Sequence, residues 1–284
     1  MELTLTNGNN RAVISCHGAE LKSLVIGGRE LIWQTDEKYW NKSSPVLFPA
    51  IGNVKNNLTT INGEEIKLSK HGFMRDKDFI PTQHGESAAD FSYTYSPVKG
   101  EYPFACLLTM SYHLSEDALT ITYIVENLDN GTMWYCIGAH PAFACDDLDK
   151  CSVKFEYREV AATPVKDADG IFQDGKRVER INGNTLLLLY YDMFDEDVVY
   201  FDRLRSHTVT FMDNIKTLAV ISFEGFETLG LWTPAGKRAP FLCIEPWCGS
   251  DDYDTDDGIF EHKRGIQSLE PKGTKRYSMT IKAE

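Results

Sequence analysis

Apolar and polar residues alternate with a period of two over many short segments of the chain. Between residues 119 and 125 every second position is apolar, and the same alternation resumes between residues 133 and 137. A turn-forming Asp-Asn-Gly cluster at 129–131 separates the two segments. Such alternation is typical of half-buried β-strands, so the pattern predicts a β-hairpin over this stretch.

Turn signals also divide the other apolar segments into short pieces. The Gly-Gly pair at 27–28 and the Asn-Gly pair at 62–63 suit the positive φ values of tight hairpin turns, and each predicts a hairpin. Hints of irregular or helical structure fall at residues 38–48 and 183–194, and neither segment has a sustained helical period.

The same pattern bears on fold class and domain number. No linker rich in Pro, Gly or Ser divides the chain, and no repeat of fixed period is present. We therefore predict a single all-β domain over residues 1–284, folded as a large antiparallel β-sandwich.

Charge and cysteine content narrow the possible partners and the compartment. The 284 residues carry a net charge of −13, which disfavours nucleic acid and anionic membranes, because both are bound by basic surfaces. No apolar run approaches the ~20 residues of a membrane-spanning helix, and the start of the chain lacks a signal-peptide pattern, so a cytoplasmic location is predicted. The seven cysteines contain no C-x-x-C pair and are expected to be reduced, buried thiols.

Common cofactor and metal signatures are absent from the sequence. There is no G-x-G-x-x-G, P-loop, G-x-S-x-G or H-E-x-x-H motif. The acidic run at 250–265 fails as a calcium loop, because aligning Gly258 with the loop glycine puts Tyr253 and Arg264 at the first and last ligand positions. We therefore predict neither a cofactor nor a metal.

Glu245 stands in the apolar run "FLCIEPW" at 241–247. An ionised carboxylate in a buried strand is unfavourable unless it is paired or functional, although a strand-end glutamate could also reach water. The following proline favours an extended backbone, and Trp247 offers an aromatic surface on which a sugar could stack.

Two histidines have similar surroundings. His140 precedes a proline at a strand end in "GAHPAF", and His71 is followed by Gly72, with Arg75 four residues further on. A core histidine and a turn histidine are the structural alternatives. Together with Glu245 they suggest acid–base chemistry, since a histidine of pKa ~6.5 can hold a proton near neutrality while a glutamate of pKa ~4.3 accepts one.

The chain resembles the aldose 1-epimerase (galactose mutarotase) family, most closely its LacX-type branch. The resemblance rests on these motifs, in the family's order: "GAELKSL", "SPVLFPAIGNVKN", "HGFMRD", "GAHPAF", "DVVYFD", "LGLWT" and "FLCIEPWCG". It implies the antiparallel supersandwich fold and interconversion of sugar anomers without metal or redox cofactor. It also implies Glu245 as base on the anomeric hydroxyl, His140 as acid on the ring oxygen, and His71 and Asp197 as sugar-binding residues.

One motif departs from the family pattern. Members often carry arginine after the glycine of "FPxxG", whereas this chain has Asn53, with Lys55 nearby. In the hexose-6-phosphate branch, arginines around this motif and in "HGFxR" help to bind phosphate, so Asn53 disfavours a phosphosugar while Arg75 and Lys55 keep it open.

Three functions therefore remain. The preferred reading is a mutarotase acting on a free aldohexose, glucose or galactose, as a monomer or homodimer, with Trp247 and the polar residues above binding the sugar. The alternatives are a hexose-6-phosphate 1-epimerase and a non-catalytic sugar-binding or sensing protein. The enzyme reading requires Glu245 and His140 to meet in one cleft.

Overall fold

The computed structural model describes residues 1–283, in which nearly all regular structure is β. The strands are β1 (Glu2–Asn7), β2 (Asn10–Ser15), β3 (Leu21–Ile26), β4 (Arg29–Glu30), β5 (Val46–Leu47), β6 (Leu58–Ile61), β7 (Glu64–Lys67), β8 (Ile80–Gln83), β9 (Ala88–Tyr95), β10 (Cys106–Leu114), β11 (Ala118–Asn127), β12 (Met133–Tyr135), β13 (Ile137–Ala139), β14 (Ala142–Ala144), β15 (Cys151–Lys166), β16 (Phe172–Leu188), β17 (Val199–Phe201), β18 (Thr208–Asp213), β19 (Lys216–Glu224), β20 (Thr228–Trp232), β21 (Phe241–Cys248), β22 (Gln267–Leu269) and β23 (Thr274–Lys282). The helices are short 3₁₀ turns at Lys55–Asn57, Met74–Asp76, Leu148–Lys150, Tyr191–Phe194 and Phe260–His262.

A nine-stranded sheet forms one large layer of the molecule. Its strands run in the order β16-β15-β18-β19-β23-β11-β10-β9-β8, and neighbouring strands are antiparallel. In β11 the residues Ile121, Tyr123 and Val125 are buried while the residues between them are partly exposed. The apolar period of two therefore points one face of this sheet into the core.

A smaller sheet lies deeper in the protein. Its order is β17-β20-β21-β13-β5, and β14 pairs with β21 as well. All eight residues of β21 are buried, so both faces of this strand are covered. One hydrophobic cluster contains residues of both sheets, including Ile121 and Ile244. The sheets thus share a core, which confirms the all-β antiparallel sandwich predicted from the sequence.

The turn predictions have mixed outcomes. The hairpins at 27–28 and 62–63 are confirmed as the β3–β4 and β6–β7 pairs. The hairpin across 129–131 is wrong, because β11 pairs with β10 and β23 while β12 pairs with β22. The Asn127 side chain donates hydrogen bonds to the carbonyls of Leu269 and Glu270, and this contact directs the chain away from its local partner.

The two segments without clear periodicity are mostly irregular. Residues 38–48 form a loop that ends in β5, and residues 183–194 finish strand β16 before a single 3₁₀ turn. No helix of residues 1–283 is both long and apolar enough to cross a membrane.

Candidate active site

A cavity of about 210 Å³ opens over the smaller sheet. Its walls combine charged, imidazole and indole side chains. The lining residues are Trp40, Lys70, His71, Arg75, His140, Lys166, Asp197, Val198, Trp232, Glu245, Trp247 and Asp251. Six of the residues selected from the sequence, namely His71, Arg75, His140, Asp197, Glu245 and Trp247, therefore meet in one cavity.

Glu245 lies in the middle of β21 and is 1% exposed. Neither of its carboxyl oxygens has a hydrogen-bond partner of good geometry within residues 1–283. Burial, followed by the negative charge of Asp197, raises the pKa of this carboxyl well above its ordinary value. Burial therefore favours the neutral, protonated form of this carboxyl.

His140 is brought to Glu245 by the pairing of β21. Strand β13 pairs with β21 through Gly138 and Trp247, and β14 pairs with it through Ala142 and Cys243. His140 lies midway between Gly138 and Ala142, and Glu245 lies midway between their partners. The two side chains therefore face each other, and Nε2 of His140 is 3.1 Å from Oε2 of Glu245. Strand pairing thus explains how residues more than a hundred positions apart meet.

Burial changes the expected proton distribution of the His140–Glu245 pair. It lowers the pKa of His140 to about 3, and Lys70 and Arg75 contribute to the shift. Burial also raises the pKa of Glu245, so it favours the neutral form of each group in the pair.

His71 is also held in its neutral form. Its Nδ1 accepts a hydrogen bond of 3.1 Å from the backbone N–H of Gly52, so in the neutral ring the proton is on Nε2. Burial lowers the pKa of His71 well below its ordinary value, helped by His140 and the nearby cations. The following Gly72 has φ 67°, and a Cβ there would lie 2.2 Å from the carbonyl oxygen of Phe48.

Asp197 is fixed from several sides. The indole N–H of Trp232 donates to one of its oxygens at 2.7 Å. Lys166 and Lys70 contact the other oxygen at 2.7 and 3.3 Å, and Lys166 also bonds Asp251 at 3.1 Å. Burial would raise the pKa of Asp197, but the two lysines outweigh it and lower the pKa to about 2. Asp197 is therefore an anion throughout the physiological range.

Tryptophans form the apolar walls of the cavity. Trp40 stacks on the His140 imidazole with ring centroids 5.0 Å apart, and Trp232 meets the same ring edge-on at 5.6 Å. Trp247 stacks on Tyr200 at 5.7 Å. Indole faces beside hydrogen-bonding groups are suited to bind the apolar faces and hydroxyls of a sugar ring.

Two of the residues selected from the sequence lie outside the cavity lining. The Asn53 side chain donates to the Gly170 carbonyl, and its backbone N–H donates to Asp251. The Lys55 ammonium contacts the Asp254 carbonyl at 3.1 Å. Both therefore hold the segment that carries Asp251 in place.

Several residues that line the cavity were not singled out from the sequence as site residues. They are Trp40, Lys70, Lys166, Val198, Trp232 and Asp251. Trp232 lies in the quoted "LGLWT" motif, which offered a signal for it. Lys166 ends the long strand β15 and Trp40 lies in an irregular loop, so neither had a local pattern to mark it.

Cys243 lies beside His140 and Glu245, and all three side chains carry atoms that can bind a metal. It precedes Glu245 by two residues on β21, and the ligand atoms of His140, Cys243 and Glu245 lie within 4.8 Å of one another. All three side chains are buried.

This antiparallel sandwich is the fold of galactose mutarotase-like proteins. The chain belongs to the aldose 1-epimerase family, whose model matches residues 1–282. Family membership supports a sugar anomer epimerase activity of the isomerase class.

Individual relatives are similar over nearly the whole chain. Protein LacX (plasmid) of Lactococcus lactis subsp. lactis is 28% identical, over 93% of this chain and 94% of its own. A galactose mutarotase related enzyme from Lactobacillus acidophilus has a TM-score of 0.91 at 27% identity, covering 100% of this chain and 97% of its own. A galactose mutarotase-like protein from Lactobacillus casei ATCC 334 also has a TM-score of 0.91, at 26% identity over 99% of both chains.

Proposed function

We propose that the protein is a mutarotase that interconverts the α and β anomers of a free aldohexose, glucose or galactose, by acid–base ring opening. One observation carries the proposal. Glu245 and His140 lie 3.1 Å apart in the wall of the cavity, and neither carboxyl oxygen has a hydrogen-bond partner of good geometry within residues 1–283. A buried pair with spare proton-accepting atoms is suited to exchange protons with a bound hydroxyl.

The reaction needs one proton removed and one supplied. Glu245 takes the proton of the anomeric hydroxyl while His140 gives a proton to the ring oxygen, and the C1–O5 bond breaks to leave an aldehyde. Rotation about C1–C2 presents the other face of the carbonyl. Reclosure reverses both transfers, so the pair ends the cycle as it began it, and no redox cofactor or metal is required.

The burial of the pair favours the open-chain intermediate. In the ring-closed complex the proton must be on His140, whereas after ring opening it is on Glu245 and the imidazole is neutral. The pKa directions of the two groups both favour the second arrangement. Burial therefore disfavours the charged pair before ring opening and favours the neutral pair after it, and the 3.1 Å separation gives the proton a direct route back to His140.

Neighbouring residues would bind and orient the sugar. The Nε2–H of the neutral His71 can donate to the ring oxygen without competing for the exchanged proton. Asp197, with Lys70 and Lys166 on the same oxygen, offers acceptor and donor atoms to sugar hydroxyls. Trp40 and Trp232 would pack against the apolar face of the ring.

Polarimetry or NMR of freshly dissolved α-glucose and α-galactose tests the proposal. Addition of the protein should accelerate the approach to anomeric equilibrium for at least one sugar, in proportion to protein concentration. The Glu245→Gln protein is the matched control. No acceleration above buffer with either sugar would contradict the proposal, and binding without acceleration would support the sugar-sensing alternative.

The phosphorylated substrate remains the second candidate because of Arg75. Its guanidinium lines the cavity and donates to the Lys70 carbonyl, while its buried Nε has no hydrogen-bond partner of good geometry within residues 1–283. A phosphate could bind to such a group. This candidate predicts activity on glucose 6-phosphate or galactose 6-phosphate alone, with a large loss in Arg75→Gln, whereas comparable activity on the free sugars would exclude it.

A further inference from the structure

Cys243 occupies a position that the proposed proton exchange does not use. Residues two apart on a strand point to the same side, so its thiol lies beside the Glu245 carboxyl. The register that pairs Ala142 with Cys243 brings His140 to the same place from the neighbouring segment. A thiol, an imidazole and a carboxyl then lie within 4.8 Å of one another, all buried.

A second observation is the lack of hydrogen bonds in this cluster. Both oxygens of Glu245 and Nδ1 of His140 are buried without a hydrogen-bond partner of good geometry in residues 1–283, although Oε2 lies 3.1 Å from Nε2 of His140. Buried polar atoms in native proteins nearly always have a partner, and a persistent exception points to a ligand, water or ion. Unpartnered carboxyl oxygens beside a thiol and an imidazole can coordinate a metal ion.

We propose that His140, Cys243 and Glu245 form a site for a soft divalent cation, Zn²⁺ or Cd²⁺, and that occupation of this site inhibits the protein. Thiolate, imidazole and carboxylate are the ligands that Zn²⁺ takes in proteins, and three of them leave a fourth position for water. Mg²⁺ and Ca²⁺ prefer oxygen ligands alone and would bind poorly here.

The proton balance of binding is simple. The incoming M²⁺ displaces the proton of the Cys243 thiol and the proton shared by His140 and Glu245, and both are released to solvent. The product is a thiolate, a carboxylate and a neutral imidazole on one cation. With their lone pairs coordinated, neither His140 nor Glu245 can exchange a proton with a sugar.

The cation can reach the site from the cavity. His140 and Glu245 line its wall, whereas Cys243 is fully buried outside the lining, in a small cluster with Ala142, Ala239 and Phe241. Metal and sugar would therefore occupy overlapping space. Inhibition rests on the proposed mutarotase function, but metal binding itself does not.

Binding is tested directly with Cd²⁺ on the full-length protein after treatment with a chelator and gel filtration. We expect one equivalent of Cd²⁺ to produce a thiolate-to-metal charge-transfer band in the ultraviolet, and an excess of Zn²⁺ to reduce it by competition. The band should disappear in Cys243→Ala and remain in Cys106→Ala, which removes an equally buried cysteine on β10. A band that survives in Cys243→Ala, or that is absent from the wild type, would overturn the proposal.

Two further measurements separate this proposal from the proposed function. Zn²⁺ should inhibit mutarotation, and the inhibitory concentration should rise more than about 10-fold in Cys243→Ala. If the metal-free protein shows no mutarotation, the proposed function fails while the Cd²⁺ band still decides the metal site. If Cys243→Ala does not fold, Glu245→Gln replaces it, and an unchanged Cd²⁺ affinity in that variant would count against the site.

Discussion

Two buried glutamates of this protein show opposite uses of the same side chain. Glu159 and Glu245 are 2% and 1% exposed, and both lie in strands. Glu159 accepts hydrogen bonds from the backbone N–H groups of Arg205 and Ser206 and from the Ser206 hydroxyl. Glu245 accepts none of good geometry within residues 1–283. Hydrogen bonding, more than burial, therefore separates the structural carboxylate from the candidate catalytic one.

Strand geometry explains the difference. Glu159 lies at an irregularity where the pairing of β15 with β16 shifts register, and there it can reach free backbone donors of a crossing segment. Glu245 lies in a regular ladder, opposite Gly230 of β20. The N–H groups around it are used in strand pairing, so the regular sheet leaves its carboxyl without donors.

The largest expected effect is the loss of activity in Glu245→Gln. Glutamine has the same shape but cannot accept the anomeric proton, so mutarotation should fall by ~10²- to 10⁴-fold. Rate constants from polarimetry, with circular dichroism to verify the fold, provide the measurement. Glu159→Gln is the matched control, and its folded fraction should retain the wild-type rate. A residual rate within tenfold of wild type would remove Glu245 from the proposed mechanism.

Asp197 is the intermediate case, since its carboxylate is fully paired and yet lines the cavity. Asp197→Asn removes a charged hydrogen-bonding group. This loss should reduce transition-state stabilisation by about 1.5–3 kcal/mol, and kcat/KM should fall accordingly. The effect should fall mainly on KM, because no proton passes through this residue. A fall in kcat alone, with KM unchanged, would contradict a binding role.

The same variant also tests the charge state of Asp197. Its pKa is held at about 2 in the folded protein, below the ordinary 3.8. A depressed pKa stabilises the folded state above pH ~3.8, and this contribution is lost as the pH falls towards ~2. The melting temperature of wild type should therefore exceed that of Asp197→Asn by a margin that narrows over this interval. A margin independent of pH would show that Lys166 and Lys70 do not lower this pKa.

Glu159→Gln should instead reduce stability. Oε1 accepts the bonds from Arg205 and Ser206, so a glutamine can keep this acceptor. It loses the negative charge that strengthens these bonds and turns its N–H₂ towards the Arg205 N–H, which lies 3.3 Å from Oε2, at ~1–3 kcal/mol. In a domain of this size each kcal/mol lowers the melting temperature by ~2–4 °C. Calorimetry of Glu159→Gln and Glu245→Gln side by side is the measurement. Equal destabilisation of the two variants would show that the hydrogen bonds of Glu159 do not make it more important for stability than Glu245.

The sequence predicted the fold class and much of the candidate site, because both leave local patterns. Strand alternation predicted the sandwich, and short motifs marked His71, His140 and Glu245. The pKa shifts of the pair could not be predicted, since they depend on burial by residues distant in the chain. The prediction of a hairpin at 129–131 was wrong for a similar reason, because Asn127 is held by residues near the end of the chain instead.

Trp40 shows why other parts of the site escaped prediction. It lies in a loop without periodicity, and nothing in its neighbourhood in the sequence marks it. The loop is fixed from a distance, because the buried Glu20 carboxyl accepts hydrogen bonds from the backbone of Ser43 and Ser44. The stacking of Trp40 on His140 is therefore a result of tertiary structure alone.

The smallest expected effect is that of replacing Trp40, which forms part of the cavity wall beside Glu245. Removing an aromatic partner in Trp40→Ala should weaken sugar binding by ~0.5–1.5 kcal/mol beyond the lost contact area, about a 2- to 12-fold rise in KM. Trp40→Phe keeps a ring and should lie closer to wild type. KM values of both variants, with Trp134→Phe as a control outside the cavity lining, provide the test. If Trp40→Ala and Trp40→Phe raise KM equally, the indole fills space without stacking on the sugar, and the aromatic wall has no part in recognition.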